Sequence, residues 1–408
     1  MSLLFLLQSP DAVNSPARMN PSELRASLSL AAVFALRMFG MFVVLPVLAL
    51  WAHGRPGWTL TLVGVALGAY GLTQAVLQVP FGWLSDRYGR KPVIHVGLLL
   101  LAGGSLVCAL AESPAAMILG RVIQGAGAIS ATVIALAADL TRESQRTKSM
   151  AIIGSSIGAA FALSFVAAPF LLGGIGIPGI FALTAALALA AMAVVQWVVP
   201  DAPRLERARQ PRLAAVLLER ELLRLNAGIF ALHAVLMALF VVVPIALVRA
   251  GLPAAEHWTV YLGTLLAGAV LMMPAIVGRL AVRERPVFLA SVAAVGVAIA
   301  ILALGIESVG GIVAALVIFF AGFNVLEAKL PALVSRAAPR EARGAATGLY
   351  SSVQFLGAFV GGAAGGALAQ HAGFGAVLGA CLAVTAAWLA AAWNMAEFRP
   401  AASPATRT

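Results

Sequence analysis

The sequence predicts an all-α integral membrane protein: twelve transmembrane helices in two six-helix bundles, with both termini cytoplasmic. Three observations predict it. The 408 residues are 62% apolar and 11% charged, with a mean hydropathy of +0.99, whereas a soluble domain carries about 25% charged residues. Twelve apolar runs alternate with short polar segments, each near the roughly 20 residues that cross a bilayer. With both ends placed inside, the cytoplasmic segments collect 22 of the 27 Lys and Arg residues, while the outer ends hold Arg55 and Arg249. That bias sets the orientation. It also explains the net charge of +11 as topology, which excludes nucleic acid as a partner and makes the lipid bilayer the expected one.

The elements follow in order. Residues 1–26 form an N-terminal tail, in which Met19-Asn20-Pro21-Ser22-Glu23 offers a natural helix start. The first span, 27–51, carries Arg37 in an otherwise apolar stretch. The second, 59–84, carries Tyr70, Gln74 and Gln78 at helical spacing and runs into a charged knot over 82–92. Spans 92–111 and 115–139 follow, the latter closing on Asp139-Leu140-Thr141-Arg142-Glu143. Spans 149–172 and 178–199 complete the first bundle, 27–199. Residues 200–224 are the one long polar interruption. Leu213, Val216, Leu217 and Leu223 are spaced for one helical face among arginines, which predicts an amphipathic connector on the inner leaflet. The second bundle, 225–395, holds spans 225–249, 258–279, 286–305, 309–335, 344–369 and 373–395, and a tail of 396–408 ends the chain.

The two bundles carry a repeat. Arg142, Arg146 and Gly154 match Arg336, Arg340 and Gly348 at one offset of 194, and Pro92 matches Pro286 at the same offset. Gly82 and Leu84 match Gly278 and Leu280 at 196, so the second copy of the charged knot is two residues shorter and lacks the acid. Parallel repeats of this kind build two-bundle transport folds.

Enzyme constellations are missing. There is no Walker-type Gly-Lys-Ser/Thr and no His-Glu-x-x-His. Gly154-Ser155-Ser156-Ile157-Gly158 fits a nucleophile-elbow pattern but lies within an apolar span rather than on a strand-to-helix turn. Gly174-Ile175-Gly176-Ile177-Pro178-Gly179 fits a dinucleotide fingerprint but follows no strand. Cys108 and Cys381 have no metal-ligand spacing, so no metal is expected.

Polar groups at membrane depth are costly and therefore candidates for function. Arg37 sits about ten residues into its span, roughly 15 Å deep at 1.5 Å per residue. Glu327 is the one carboxylate well inside a span, with Asn324 three residues before it on the same face. A buried carboxylate balanced between desolvation and a nearby cation can bind and release a proton; the alternative is a permanent ion pair with Arg37 or Lys329. His233 and Asn226 share a face of the seventh span. Tyr70, Gln74 and Gln78 either line a cavity or tie helices together. His53, His95, His257 and His371 lie near span ends and are expected at the interface.

The knot Gly82-Trp83-Leu84-Ser85-Asp86-Arg87-Tyr88-Gly89-Arg90-Lys91-Pro92 resembles the signature loop between the second and third helices of the major facilitator superfamily. The resemblance implies a latch of Gly82, Asp86, Gly89, Arg90 and Asp139 that holds the cytoplasmic side closed in the outward-facing state. Arg121-Val122-Ile123-Gln124-Gly125-Ala126-Gly127-Ala128 resembles the family's fourth-helix motif, which implies a part in proton transfer for Arg121, with Gln124 on its face. Gly154, Gly158, Pro169, Gly173 and Gly174 resemble a degraded antiporter motif in which Ala168 replaces a glycine. Leu36-Arg37-Met38-Phe39-Gly40, Tyr70-Gly71-Leu72-Thr73-Gln74 and Pro253-Ala254-Ala255-Glu256-His257-Trp258 resemble the YajR-type branch of drug/proton antiporters, and the chain is expected to lack that branch's C-terminal cytoplasmic domain.

The resemblance implies a proton-coupled secondary transporter of the bacterial inner membrane, working by alternating access as a monomer. It would export drug-like or small organic solutes with no cofactor beyond the proton gradient. Arg37, Arg121 and Lys329 against a single Glu327 leave open an anionic or zwitterionic substrate that meets Arg37. A membrane sensor without transport is the remaining alternative; it fits less well, because no soluble signalling domain is expected.

Overall fold

The computed structural model describes residues 18–202, 219–276, 280, 283–339 and 342–395. Helices dominate: α1 (Pro21–Phe42), α2 (Leu45–Ala52), α3 (Leu60–Tyr88), α4 (Arg90–Ala109), α5 (Pro114–Ala126), α6 (Ser130–Asp139), α7 (Glu143–Trp197), α8 (Arg220–Arg249), α9 (His257–Ile276), α10 (Glu284–Gly305), α11 (Val309–Ala337) and α12 (Arg343–Ala392). Among the described residues, ten helical stretches are long and apolar enough to cross a membrane. Local chemistry sets their starts. Asn20 and Glu23 form a reciprocal capping box at α1, and Thr59, Ser113 and Ser308 accept from the first turns of α3, α5 and α11, satisfying amides that no helix bond can reach.

Three features differ from the expected spans. The first span breaks between α1 and α2, before Pro46. The fourth breaks at 127–129, where Gly127 leaves helical geometry (φ −74°, ψ 55°). Conversely, α7 and α12 run for 55 and 50 residues, but each is two helices meeting at a kink, Gly176 (φ 65°) and Gly373 (φ 80°). Only glycine adopts that left-handed backbone without a steric cost. The expected connector falls mostly on 203–218, outside the described residues. At its end, Glu219 caps α8 by accepting from the Leu222 amide at 2.8 Å.

Packing divides the apolar core into two clusters. One joins Leu30, Phe34, Ile94, Leu98, Leu136 and Ala188. The other joins Val44, Leu48 and Phe165 to α8 and on to α9–α12. The second cluster spans both halves of the chain, at the end of the molecule where α2 lies. There α3 and α12 touch backbone to backbone: a Cβ on Gly64 would stand 2.1 Å from the Gly362 carbonyl, and one on Gly71 would stand 2.6 Å from that of Phe355. Phe165 packs on Tyr261 at 5.1 Å and Phe170 on Trp258 at 6.0 Å, so α7 and α9 also close this end. Toward the other end, Gly82, Gly154, Gly158, Gly344 and Gly348 have nothing within 4 Å of a built Cβ. The close backbone contacts between α3 and α12 thus lie at the α2 end, and none of the described glycines makes one toward the end that carries Asp86 and Arg142, the divergent end.

The repeat has a structural counterpart. Lys91 Nζ donates to the Val199 carbonyl at 2.8 Å, and Arg285 donates to the Trp393 carbonyl. Donor and acceptor are each shifted by 194 positions, the offset seen in the sequence. In both cases a cation at the start of one helix neutralises the carbonyl end of another.

Candidate functional site

Two buried polar groups face one another across the α3–α12 contact. The first is built by α1, α3 and the broken fourth span. The break after Ala126 turns Ser130 inward and brings the Gly127 carbonyl, which also accepts from the Ile129 amide at 2.9 Å, within reach of Arg37. Arg37, 2% exposed, donates to Ser130 Oγ at 2.7 Å, to Tyr70 Oη at 2.8 Å and to the Gly127 carbonyl at 3.4 Å. In the amide orientation that satisfies its neighbours, Gln74 accepts from Arg37 at 2.7 Å and donates to the Gly125 carbonyl at 2.8 Å. Arg37 Nε has no partner. A Cβ on Gly125 would stand 2.2 Å from the Tyr70 carbonyl, and one on Gly127 would stand 2.2 Å from that of Gly97, so only glycine lets these backbones meet. A guanidinium is thus held in a cradle of neutral acceptors.

Arg121 lies beside it, 1% exposed. It donates to the Ala66 and Leu67 carbonyls at 3.1 and 3.4 Å and to Gln124 at 2.9 Å, and Gln124 donates to Ser105 at 2.7 Å. Its guanidinium lies 5.1 Å from the Tyr70 ring centre, within cation–π range. Tyr70 therefore joins two cations, one through its hydroxyl and one through its ring face. Gln78 is buried with them at 1% exposure. The stripe ties helices together more than it lines open space.

The second group is built by α8, α11 and α12. His233 Nε2 lies 3.6 Å from Glu327 Oε1, an ion-pair distance, and the Glu327 side chain retains 32% of its surface. Gln354 Nε2 lies 2.9 Å from the same His233 nitrogen, and His233 and Phe323 pack ring against ring at 6.0 Å. Tyr350, on α12, is buried. Glu327 Oε1, Tyr350 Oη and, on the same α8 face as His233, Asn226 Oδ1 are buried atoms without a hydrogen-bond partner. Such atoms are expensive unless water, an ion or a ligand meets them. Asn324 is half-buried on the same helix as Glu327. Sequence reading missed Tyr350 and Gln354. Their signal was present: two polar residues at i, i+4 on the eleventh span.

Several expectations are corrected. Arg37 and Glu327 do not pair; their partners belong to different groups. The charges nearest Lys329 are Glu284 and Arg336, at the divergent end, so Lys329 does not add to the positive count near Glu327. His257 is not interfacial: it is 1% exposed, with Nε2 3.2 Å from the Leu252 carbonyl and its ring 6.1 Å from that of Tyr261.

At the divergent end, Arg90 pairs with Asp86, donates to Asp139 at 3.0 Å and to Ser85 at 2.7 Å. Gly89 sets the turn between α3 and α4 with a φ of 99°. Asp86 is half-exposed, and among the described residues none of its hydrogen bonds or ion pairs reaches α12. The network exists within one half, and Gly82 faces open space.

Comparison with known proteins shows the family. The model of the Major Facilitator Superfamily matches residues 30–362. The chain is 44% identical over 388 residues to the inner membrane transport protein YajR of Escherichia coli, covering 93% of this chain and 85% of that protein. In fold it is similar to a D-xylose-proton symporter, with a TM-score of 0.74 at 16% identity over 92% of this chain and 97% of that one. It is also similar to the human organic anion transporter MFSD10, with a TM-score of 0.69 at 19% identity over 91% of this chain and all of that one.

Proposed function

This chain belongs to the major facilitator superfamily and is a multi-pass membrane transporter rather than an enzyme; from that premise we propose a proton-coupled antiporter that exports drug-like or small organic solutes by alternating access. The kinks at Gly176 and Gly373 divide ten helical stretches into twelve crossings. With both termini cytoplasmic, as the basic bias requires, the sealed end faces outward and the state is inward-open. The bacterial inner membrane is the proposed location, and the protein acts as a monomer without a cofactor.

One observation carries the coupling: the His233–Glu327 contact at 3.6 Å. Among the described residues no Lys or Arg pairs with Glu327, so the charge of this group is set by protons rather than by a fixed counter-ion. A proton taken from one side and released to the other, as the sealed and open ends exchange, drives the solute against its gradient. Proteoliposomes with an imposed pH gradient test this. Glu327→Gln should abolish proton-driven accumulation and spare solute exchange. Proton flux at the parent's stoichiometry in the variant would overturn the assignment.

A second reading is favoured by a separate observation. Arg37 keeps a buried, unpartnered Nε and has only neutral partners. An anionic or zwitterionic solute would supply the missing carboxylate, a geometry suited to guanidinium. Screening anionic, cationic and neutral solutes in the same liposomes separates the two readings.

A further inference from the structure

The two polar groups touch through one short stretch of α12. Gln354 and Phe355 are consecutive, so their side chains leave the helix about 100° apart. Gln354 contacts His233 Nε2 at 2.9 Å. Phe355 packs with the other cluster: its ring centre lies 6.3 Å from that of Tyr70, whose hydroxyl accepts from Arg37. Its carbonyl lies where a Cβ on Gly71 would stand 2.6 Å away. Phe355 is thus the inner end of the backbone contact that seals α3 against α12, beyond which the two helices diverge.

We infer that Gln354 is a positioning residue that ties the state of the His233–Glu327 pair to closure of the α3–α12 contact at Phe355 and Tyr70. The inference rests on the proton-site reading above. The amide can donate to an unprotonated His233 nitrogen but must turn over, presenting its oxygen, once that nitrogen carries a proton. Gln354 and Phe355 share one turn of α12, so a shift of that turn accompanying the change of hydrogen bond at His233 reaches the Tyr70 contact. The ionisable groups facing this turn are His233 from α8, Glu327 from α11, Tyr350 from α12 itself, and, across the contact, Tyr70 from α3 with Arg37 from α1 behind it. Arg37 and Arg121 keep their charge at any working pH. The pH-dependent members therefore sit on the Gln354 side, and the fixed charges on the Phe355 side.

The test uses the full chain in liposomes, with spin labels on Thr147→Cys in α7 and Met273→Cys in α9. Both positions are exposed near the divergent end, and the native Cys108 and Cys381 are buried. The label distance reports opening across a pH series. Proton uptake by the same purified proteins is titrated against Glu327→Gln. Gln354→Met preserves size and removes the hydrogen bond; Phe355→Leu keeps the hydrogen bond and removes the ring contact. The expected result is that both variants still take up the parent's number of protons, while the distance no longer follows that uptake or follows it with a midpoint moved by about one unit. Should Gln354→Met fail to fold, Phe355→Leu decides by itself. A parent-like distance midpoint in both variants overturns the relay alone. Parent-like proton uptake in Glu327→Gln overturns the proton site, and the relay with it.

Discussion

Replacing Gly64 with Ala should drive the transporter out of the state described above, which we propose is inward-open. The added methyl would stand 2.1 Å from the Gly362 carbonyl oxygen and 3.0 Å from Gly366 Cα. Both are backbone atoms, so no side chain can rotate away. Ordinary contact begins near 3.4 Å, so α3 and α12 must part by about 1.3 Å in a closely packed region. Overpacking of this kind costs about 1–3 kcal/mol. The cost falls only on the state in which the outer end is sealed. It converts to a shift of about 5–150-fold in the balance between states. Thiol labelling reads the shift: a cysteine at Gly154, which faces open space, should react more slowly by that factor, while residues at the start of α3 become reactive. Unchanged rates at both ends would refute the idea that this contact sets the state.

Asp86→Asn should act in the opposite sense. In the outward-facing state the carboxylate would meet the N-terminus of α12 and gain about 0.3–1 kcal/mol, so its loss should raise inward-open labelling about twofold to fivefold, and identical labelling would sink the latch. Arg37→Lys should weaken binding of an anionic solute and Arg37→Ala should nearly abolish it, because the planar fork fits Ser130, Tyr70 and a carboxylate as an ammonium cannot. Wild-type affinity in Arg37→Ala would remove it from the site. Arg37 and Glu327 share no partner, so non-additivity above about 0.5 kcal/mol in their alanine double-mutant cycle would measure coupling through the α3–α12 contact, and full additivity would count against that coupling.

How much of this was legible in the sequence follows from what each residue's position costs. Span positions were readable because a bilayer charges every exposed polar group, so apolar length is a direct signal. Arg37, His233 and Glu327 were readable for the same reason: nothing polar survives at depth without a role. Which of them meet was not readable. That depends on helix rotation and on local breaks, and the decisive break at 127–129 arises inside a glycine-rich motif that reads equally well as a close-packing stripe. Tyr350 and Gln354 were overlooked because neither is charged, although an amide beside an imidazole can serve it as donor or as acceptor.

The two halves share a repeat and yet divide the chemistry unequally. In the first half, two guanidiniums are wrapped in carbonyls, hydroxyls and two amides, with no carboxylate among their partners. That half holds a constant positive charge. In the second half the corresponding depth is occupied by an imidazole and a carboxylate that lack fixed counter-ions, the carboxylate with an unpartnered oxygen. A fixed charge cannot sense pH, and a titrating pair remote from it cannot, by itself, change what it attracts. Coupling therefore has to pass where the halves touch. The halves touch where α7 packs on α9 and α2 on α8, and most closely where α3 meets α12, from Leu60, whose amide donates to Gln370 at 2.9 Å, to Phe355 beneath Tyr70. Glycines at 64, 68 and 71 bring the backbones together along it. Protonation can alter solute affinity at Arg37 only by changing that surface, so variants along it should alter coupling ratio before they alter affinity.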